Sequence, residues 1–302
     1  MAWVLVSGLS AATFAVVNVL DKQLIGKYLP SVESFNLWLG LNTLATGVLL
    51  WLLLPLPAGT SPAVVGWALA SGFVWGLGIM AMFFAFKTEE VSRAVPVYHT
   101  YPIFVALLAI PVLGERLSTL QWLAVLATVA GAGLASLRRV GDGGLRRLTL
   151  GPAFWLLTLG SALTAVALTI TKVTLNDLPF LQALALRNVG LGAAFLYFLR
   201  PAPVRHVLQG LHHPTTRWTM VAAESVLAPV ASLLTVWAIS LGPVSLVSAV
   251  TGVRPLFVFL YSTLLSAPWW RVMDEPLEGR TLAVKLAAAL LVVGGIFGLA
   301  LL

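Results

Sequence analysis

Cysteine is absent from the 302 residues, so the sequence excludes disulfides, thiolate metal sites and cysteine nucleophiles. Charge is scarce as well: aspartate, glutamate, lysine and arginine together make up 10% of the chain, against about 25% in soluble globular proteins. Hydrophobic residues account for 59%. Because so little charge cannot cover a surface that faces water, the composition excludes a soluble enzyme, a disordered chain and a nucleic-acid-binding domain. It indicates a chain surrounded mainly by lipid.

The net charge of +7 lies in short connections between apolar runs. No basic patch is interleaved with exposed aromatic residues, so nucleic acid is not an expected partner. Lysine and arginine in short loops are typical of the cytoplasmic side of an integral membrane protein. No Gly-x-x-x-x-Gly-Lys motif is present, which argues against ATP-driven transport by this chain. We expect neither a cofactor nor a bound metal.

Ten apolar runs are long enough to cross a membrane, since about 20 helical residues at a rise of about 1.5 Å each span the hydrocarbon core. The runs cover residues 2–20, 34–54, 62–86, 93–113, 117–137, 152–175, 179–199, 218–241, 244–265 and 281–302. We therefore predict an all-α integral membrane protein with ten transmembrane helices, located in the inner (plasma) membrane of the cell.

A basic, glycine-rich loop at residues 138–151 follows the fifth run and divides the chain into two halves, 1–137 and 152–302. The halves are similar when one is shifted by about 153 positions. Because each half contains five runs, which is an odd number, the second half enters the membrane from the opposite side. The sequence therefore predicts two inverted five-helix repeats, an architecture typical of secondary transporters.

The distribution of lysine and arginine predicts the orientation of the chain. Fourteen of these residues fall in odd-numbered connections, whereas the even-numbered connections hold Arg116 and Lys172. The odd-numbered connections are therefore expected to be cytoplasmic, with both termini on the non-cytoplasmic side.

Several short motifs occupy corresponding places in the two halves. The fourth and ninth runs share Val-Ser at their start and continue with Pro-Ile-Phe (102–104) and Pro-Leu-Phe (255–257), and Gly-Glu-Arg-Leu (114–117) precedes a glycine-rich fifth run. With these motifs and its two five-span halves, the chain resembles EamA-type members of the drug/metabolite transporter superfamily over nearly its whole length. The second half departs from the pattern, because it lacks the glycine before Glu275 and carries an insertion at 269–271.

Within that superfamily the chain is most similar to YddG-like amino-acid exporters. The resemblance implies a secondary transporter that exports amino acids, aromatic or other apolar ones included, or similar small metabolites, by alternating access. It implies a transporter and not an enzyme. The alternative is an integral membrane enzyme acting on a lipid-linked substrate, for which Glu224 and His99 would be the acid–base pair.

A small-molecule substrate and membrane lipid are the expected partners. Two glycine pairs at helical spacing, Gly72 with Gly76 and Gly294 with Gly298, permit helices to approach closely. In a bundle of many spans such pairs are typical of internal packing. We therefore expect a monomer, with a dimer as the alternative.

Away from the ends of the predicted spans, few side chains are charged or histidine, namely His99, Arg187, Glu224 and Arg254. A charge near the bilayer centre costs about 2.5 to 3.5 kcal/mol on insertion scales, so these residues are expected to face a cavity or a partner. The arginines suit the carboxylate of an amino acid, and Glu224 suits its ammonium group. The structural alternative is that the arginines hold carbonyls or hydroxyls at helix contacts and that Glu224 pairs with His99.

Prolines interrupt the fourth and ninth runs. Pro96, Pro102 and Pro255 are predicted helix breakers, because proline lacks an N–H and its ring clashes with the preceding turn. A pair of interrupted spans at matching positions of two repeats indicates a transporter's binding site. Tyr101 precedes Pro102 and Arg254 precedes Pro255, so we predict that both residues bind substrate.

Further candidates lie near these breaks and deep in other spans. Tyr98, His99 and Tyr101 form a polar aromatic strip that is expected to stack on an apolar substrate side chain, with anchoring at the membrane interface as the alternative. Asn18, Trp75 and Trp237 complete the predicted substrate-binding set. For Asn18 the alternative is hydrogen bonding between helices, and for the two tryptophans it is a lipid-facing or packing role.

Overall fold

The computed structural model describes residues 2–85, 97–135 and 152–265, and the regular elements in these ranges are all helices. The predicted tenth run, the loop at 138–151 and Pro96 lie outside the described residues. The motif around Glu275 lies outside them as well.

Helices account for most of both halves. The first half contains α1 (Ala2–Gln23), α2 (Val32–Leu53), α3 (Pro62–Ala85), α4 (Tyr101–Leu113) and α5 (Thr119–Ala135). The second half contains α6 (Pro152–Thr174), α7 (Phe180–Phe195), α8 (Pro201–His212), α9 (Pro214–Met220), α10 (Ala228–Leu241), α11 (Val244–Thr251) and α12 (Arg254–Leu265).

Six helical stretches in the described part of the chain are long and apolar enough to cross a membrane. They are Ala2–Gln23, Val32–Leu53, Pro62–Ala85, Pro152–Thr174, Phe180–Phe198 and Pro214–Leu241. Large apolar side chains such as Leu5, Leu52 and Trp155 are exposed on the outside of these stretches, as expected where lipid is the solvent. The prediction of an all-helical, multi-pass membrane protein is confirmed at this level.

Two helical turns of wider pitch adjoin the membrane stretches. A π-helical turn at Leu24–Tyr28 continues α1, and another at Val221–Leu227 joins α9 to α10. The first apolar run was predicted to end at residue 20, but α1 continues through Asp21 to Gln23. Asp21 is therefore part of the helix and not of a connection, because the helix buries its side chain within the bundle.

The helices of the two halves pack against one another. The first helix, α1, lies against α10 and α12, and α6 lies against α3 and α4. Ser10 of α1 donates a hydrogen bond to the Ala231 carbonyl of α10 at 3.0 Å. At the other contact, Gly78 of α3 and Gly160 of α6 lie so close that a Cβ on either would come within 3 Å of the other's carbonyl oxygen.

The closest helix crossing joins α3 to α7. A Cβ on Gly72 would lie 1.8 Å from the backbone oxygen of Arg187, and a Cβ on Gly190 would lie 1.9 Å from that of Leu69. Gly76 faces α7 one turn further along, against Ala194. Small residues therefore let the two backbones touch, and this contact fixes the position of Arg187 at the centre of the bundle.

Candidate functional site

A cavity of about 110 Å³ lies inside the helix bundle, between helices of both halves. Eight of the nine residues predicted to bind substrate line it: Asn18, Trp75, Tyr98, His99, Tyr101, Arg187, Glu224 and Arg254. The fold thus gathers polar and aromatic side chains from distant parts of the sequence around one cavity.

The ninth predicted residue, Trp237, is not among the residues that line this cavity. Its indole is 39% exposed and stacks on the ring of Phe180, with centroids 6.3 Å apart. Trp237 lies on the outer side of α10, so depth along the span alone did not indicate which way the side chain faces.

Two interrupted spans bring Tyr101 and Arg254 to the cavity. Tyr101 is the first residue of α4, with Pro102 in its first turn. Arg254 is the first residue of α12, which begins after α11 ends at Thr251. Proline suits a first helical turn because its missing N–H would have no intrahelical acceptor there. The helix start therefore fixes the residue before each proline at the cavity wall.

Arg187 is fully buried, with 0% of its surface exposed. Its guanidinium group lies 3.9 Å from the centre of the Trp75 ring, and Nη1 donates a hydrogen bond to the Ser232 hydroxyl at 3.3 Å. Nε and Nη2 have no hydrogen-bond partner in the described part of the protein. The cation–π contact and the serine hold the guanidinium in place, while two of its nitrogens stay available to an anion.

Arg254 has a similar arrangement in the other interrupted span. Its guanidinium carbon lies 4.0 Å from the centre of the Phe14 ring, and its buried Nε has no acceptor among the described residues. Tyr98, His99 and Asp21 are close enough for electrostatic interaction with this cation. The cavity thus contains two guanidinium groups, each supported by an aromatic face.

The hydroxyl groups of the two tyrosines are fixed by threonines. Tyr98 is hydrogen-bonded to Thr164 at 2.9 Å, and Tyr101 to Thr251 at 3.2 Å. Each threonine donates its own proton to a backbone carbonyl of its helix, so it accepts from the tyrosine. Both tyrosine protons are therefore donated to threonines. The tyrosines present their ring faces and oxygen lone pairs to the cavity.

Asp21, which was not among the predicted site residues, lines the cavity together with Glu224. The two side chains are 8% and 2% exposed, and their carboxyl groups lie within hydrogen-bonding reach of each other. Asp21 precedes the π-helical turn after α1, and Glu224 lies inside the second π-helical turn. Such turns displace side chains relative to a regular helix and are frequent at functional sites.

His99 lies beside the tyrosines. Its ring centre is 5.6 Å from that of Tyr98 and 5.8 Å from that of Tyr101, and its buried Nδ1 lacks a partner among the described residues. Glu224 is paired with Asp21. The alternative to substrate binding that the sequence left open was a pair of Glu224 with His99. Within the described ranges, no group of three histidine, aspartate or glutamate side chains is placed to hold a metal ion.

The fold and the cavity together define a class, a multi-pass helical membrane protein with a cavity between its spans that charged and aromatic side chains line. Residues 1–137 match the model of the EamA-like transporter family, whose members are transporters and not enzymes. The match covers 137 of the 302 residues and agrees with the predicted EamA resemblance over the first five predicted spans. No curated protein matches the chain.

The fold is also found among solved structures. One crystal structure covers 99% of this chain and 96% of its own length, with a TM-score of 0.68 at 18% sequence identity. At that identity the similarity shows a shared fold alone. It extends to the second half of the chain, where the family model does not reach.

Proposed function

We propose that the protein is a secondary transporter that exports amino acids with apolar or aromatic side chains by alternating access. The observation that carries this proposal is a set of buried nitrogen and oxygen atoms, on side chains of both signs in one cavity, that have no hydrogen-bond partner among the described residues. Arg187 and Arg254 offer N–H donors, and Asp21 and Glu224 offer carboxyl oxygens, among the described residues. Buried charges of this kind are costly unless a ligand satisfies them.

A zwitterion satisfies both sets of groups. The α-carboxylate of an amino acid accepts from the guanidinium nitrogens of Arg187 and Arg254, and charge-assisted hydrogen bonds of this kind are strong. The α-ammonium group donates to the free carboxyl oxygens of Asp21 and Glu224. A substrate with one charge alone would leave the opposite set of groups buried and unpaired.

The aromatic lining favours an apolar side chain on the substrate. The ring faces of Tyr98, Tyr101 and Trp75 and the side chain of Phe14 line the same cavity as the charged groups. Aromatic faces bind flat apolar groups through offset or edge contacts. An amino acid can therefore place its charged end among the arginines and carboxyls and its side chain against these rings.

The helix contacts support two inverted five-span repeats, ten spans in all. A shift of about 153 positions relates α1 to α6, α3 to α10 and α4 to α12. The contacts of α1 with α10 and α12 then correspond to those of α6 with α3 and α4. Reciprocal contacts of this kind are expected for repeats related by a twofold axis in the membrane plane.

The remaining features of the proposal follow from charge and packing. We place the protein in the plasma membrane, and the lysine and arginine distribution favours both termini on the non-cytoplasmic side. Gly72 and Gly76 face α7 of the same chain, which favours a monomer. The proposed partners are a small-molecule substrate and lipid.

Flux in proteoliposomes tests the proposed function. Purified protein is reconstituted, and efflux of labelled L-phenylalanine is compared for wild type, Arg254→Ala and Arg205→Ala. Arg205 is an exposed cation on α8 and serves as the matched control. We expect flux from wild type and the control and loss of flux from Arg254→Ala, because the substrate carboxylate loses its partner. Equal flux from Arg254→Ala would contradict the proposed site.

A further inference from the structure

The carboxyl pair formed by Asp21 and Glu224 can share a proton, which the arginines cannot do. A carboxylate has acceptor atoms only, so two carboxyl groups can hydrogen-bond to each other only when one of them carries a proton. Both side chains are more than nine-tenths buried, and two like charges in contact away from water are strongly disfavoured. The pair therefore holds one proton when no ligand is bound.

Each member of the pair also has an oxygen that is not used by the protein. Asp21 Oδ1 and Glu224 Oε1 are buried and have no hydrogen-bond partner within the described ranges, and both residues line the cavity. The pair thus offers acceptors to a cation from the cavity side. An ammonium group with several N–H donors can contact both oxygens.

The other charged and titratable groups around the cavity define the field at the pair. Arg254 on α12 is close enough to Asp21 for their charges to interact, whereas Arg187 on α7 stacks on Trp75. Among the described residues, the remaining titratable groups that face this space are His99, Tyr98 and Tyr101. The two tyrosine protons are committed to threonines, and the carboxyl groups that face the cavity among the described residues are Asp21 and Glu224.

We propose that Asp21 and Glu224 form a proton-binding site that releases its proton when the substrate ammonium group binds, an inference that rests on the proposed function. The O–H bond of the shared proton breaks, its electron pair stays on the carboxyl oxygen, and the proton passes to water. The ammonium group then donates to both carboxylates. The pair and the ammonium group it binds carry one negative charge before and after the exchange, and the substrate carboxylate that enters with the ammonium group is neutralised by Arg187 and Arg254, which line the same cavity.

The exchange couples amino-acid export to proton entry. A substrate that binds from the cytoplasm expels the proton to that side, and a proton that binds from the opposite side displaces the substrate there. One proton therefore enters for each amino acid that leaves. The export of substrate against its gradient is driven by an acidic exterior.

Calorimetry on the purified full-length protein in detergent tests the inference. Binding of L-phenylalanine is measured in two buffers of different ionisation enthalpy, which gives the number of protons released per bound ligand. We expect release of about one proton per L-phenylalanine near neutral pH for wild type. Asp21→Asn and Glu224→Gln should release none, because the remaining carboxyl is already ionised beside an amide donor.

Asp177→Asn is the matched control, since Asp177 is an exposed carboxyl in the turn after α6, and it should release the same number of protons as wild type. Binding to wild type without proton release would overturn the inference and leave the proposed function intact. Undiminished release from both carboxamide variants would also overturn it, because the proton would come from elsewhere. Absence of binding to wild type would instead contradict the proposed function. The proton count of wild type decides the question even where a variant fails to fold.

Discussion

The carboxylate of Glu115 accepts hydrogen bonds from both the backbone N–H and the hydroxyl of Ser245. Its other oxygen accepts from the backbone N–H of Val244 at 2.7 Å. A side chain from the first half of the chain thus caps the first turn of α11 in the second half, where the helix dipole favours a negative charge. Lys172 donates to two carbonyls at the end of α10, each at 2.8 Å, and fixes the preceding turn.

Removal of this cap should destabilise the join between the two halves. We expect Glu115→Ala to lower the free energy of unfolding by about 1 to 3 kcal/mol, because backbone donors of α11 lose their acceptor. Thermal unfolding in detergent measures the effect. Arg116→Ala is the control, since the neighbouring Arg116 is exposed and should change the midpoint little. Equal midpoints for the two variants would show that the cap adds nothing to stability.

The crossing of α3 and α7 should tolerate no side chain at Gly72. In Gly72→Ala the new methyl group would meet the Arg187 carbonyl oxygen at 1.8 Å, and the backbones would have to separate. Gly66→Ala lies on the same helix with nothing within 4 Å of its Cβ. We expect Gly72→Ala to reduce the yield of folded protein on size-exclusion chromatography and Gly66→Ala to match wild type. A wild-type yield of Gly72→Ala would argue against this crossing.

The ring of Tyr101 should contribute more to substrate binding than its hydroxyl group does. The hydroxyl proton is bound to Thr251, so Tyr101→Phe keeps the face on which a substrate ring stacks. Tyr101→Ala removes that face, which is worth about 0.5 to 1.5 kcal/mol. In competition assays, Tyr101→Ala should weaken inhibition by L-phenylalanine more than inhibition by L-alanine. Tyr101→Phe should leave the ratio of the two inhibition constants unchanged. A similar loss for both amino acids in Tyr101→Ala would indicate a structural role instead.

The sequence was informative about the cavity because charge is costly in lipid. His99, Arg187, Glu224 and Arg254 were predicted from that cost alone, and all four line one cavity. The prolines further indicated which residues lie at the helix starts. Trp237 shows the limit of the approach, since its depth in a span resembled that of Trp75 but its side chain lies on the outer face.

Asp21 was missed for a physical reason. An acid at the end of an apolar run is usually the first residue of a solvated loop, and the run was therefore ended at residue 20. The carboxyl group is buried in the bundle, where α1 packs against the π-helical turn that holds Glu224. The cap made by Glu115 was hidden in the same way, because its motif was visible in the sequence but its partner lies 130 residues away.

Inhibition by single-charge analogues tests the central claim, that the cavity is built for a zwitterion. Transport of labelled L-phenylalanine is measured with L-phenylalanine, 2-phenylethylamine or 3-phenylpropionate as competitor. The two analogues keep the ring, but the amine lacks the carboxylate and the acid lacks the ammonium group. Because each leaves buried charges unpaired, both should inhibit at least about tenfold more weakly than L-phenylalanine. Equal inhibition by either analogue would contradict the account.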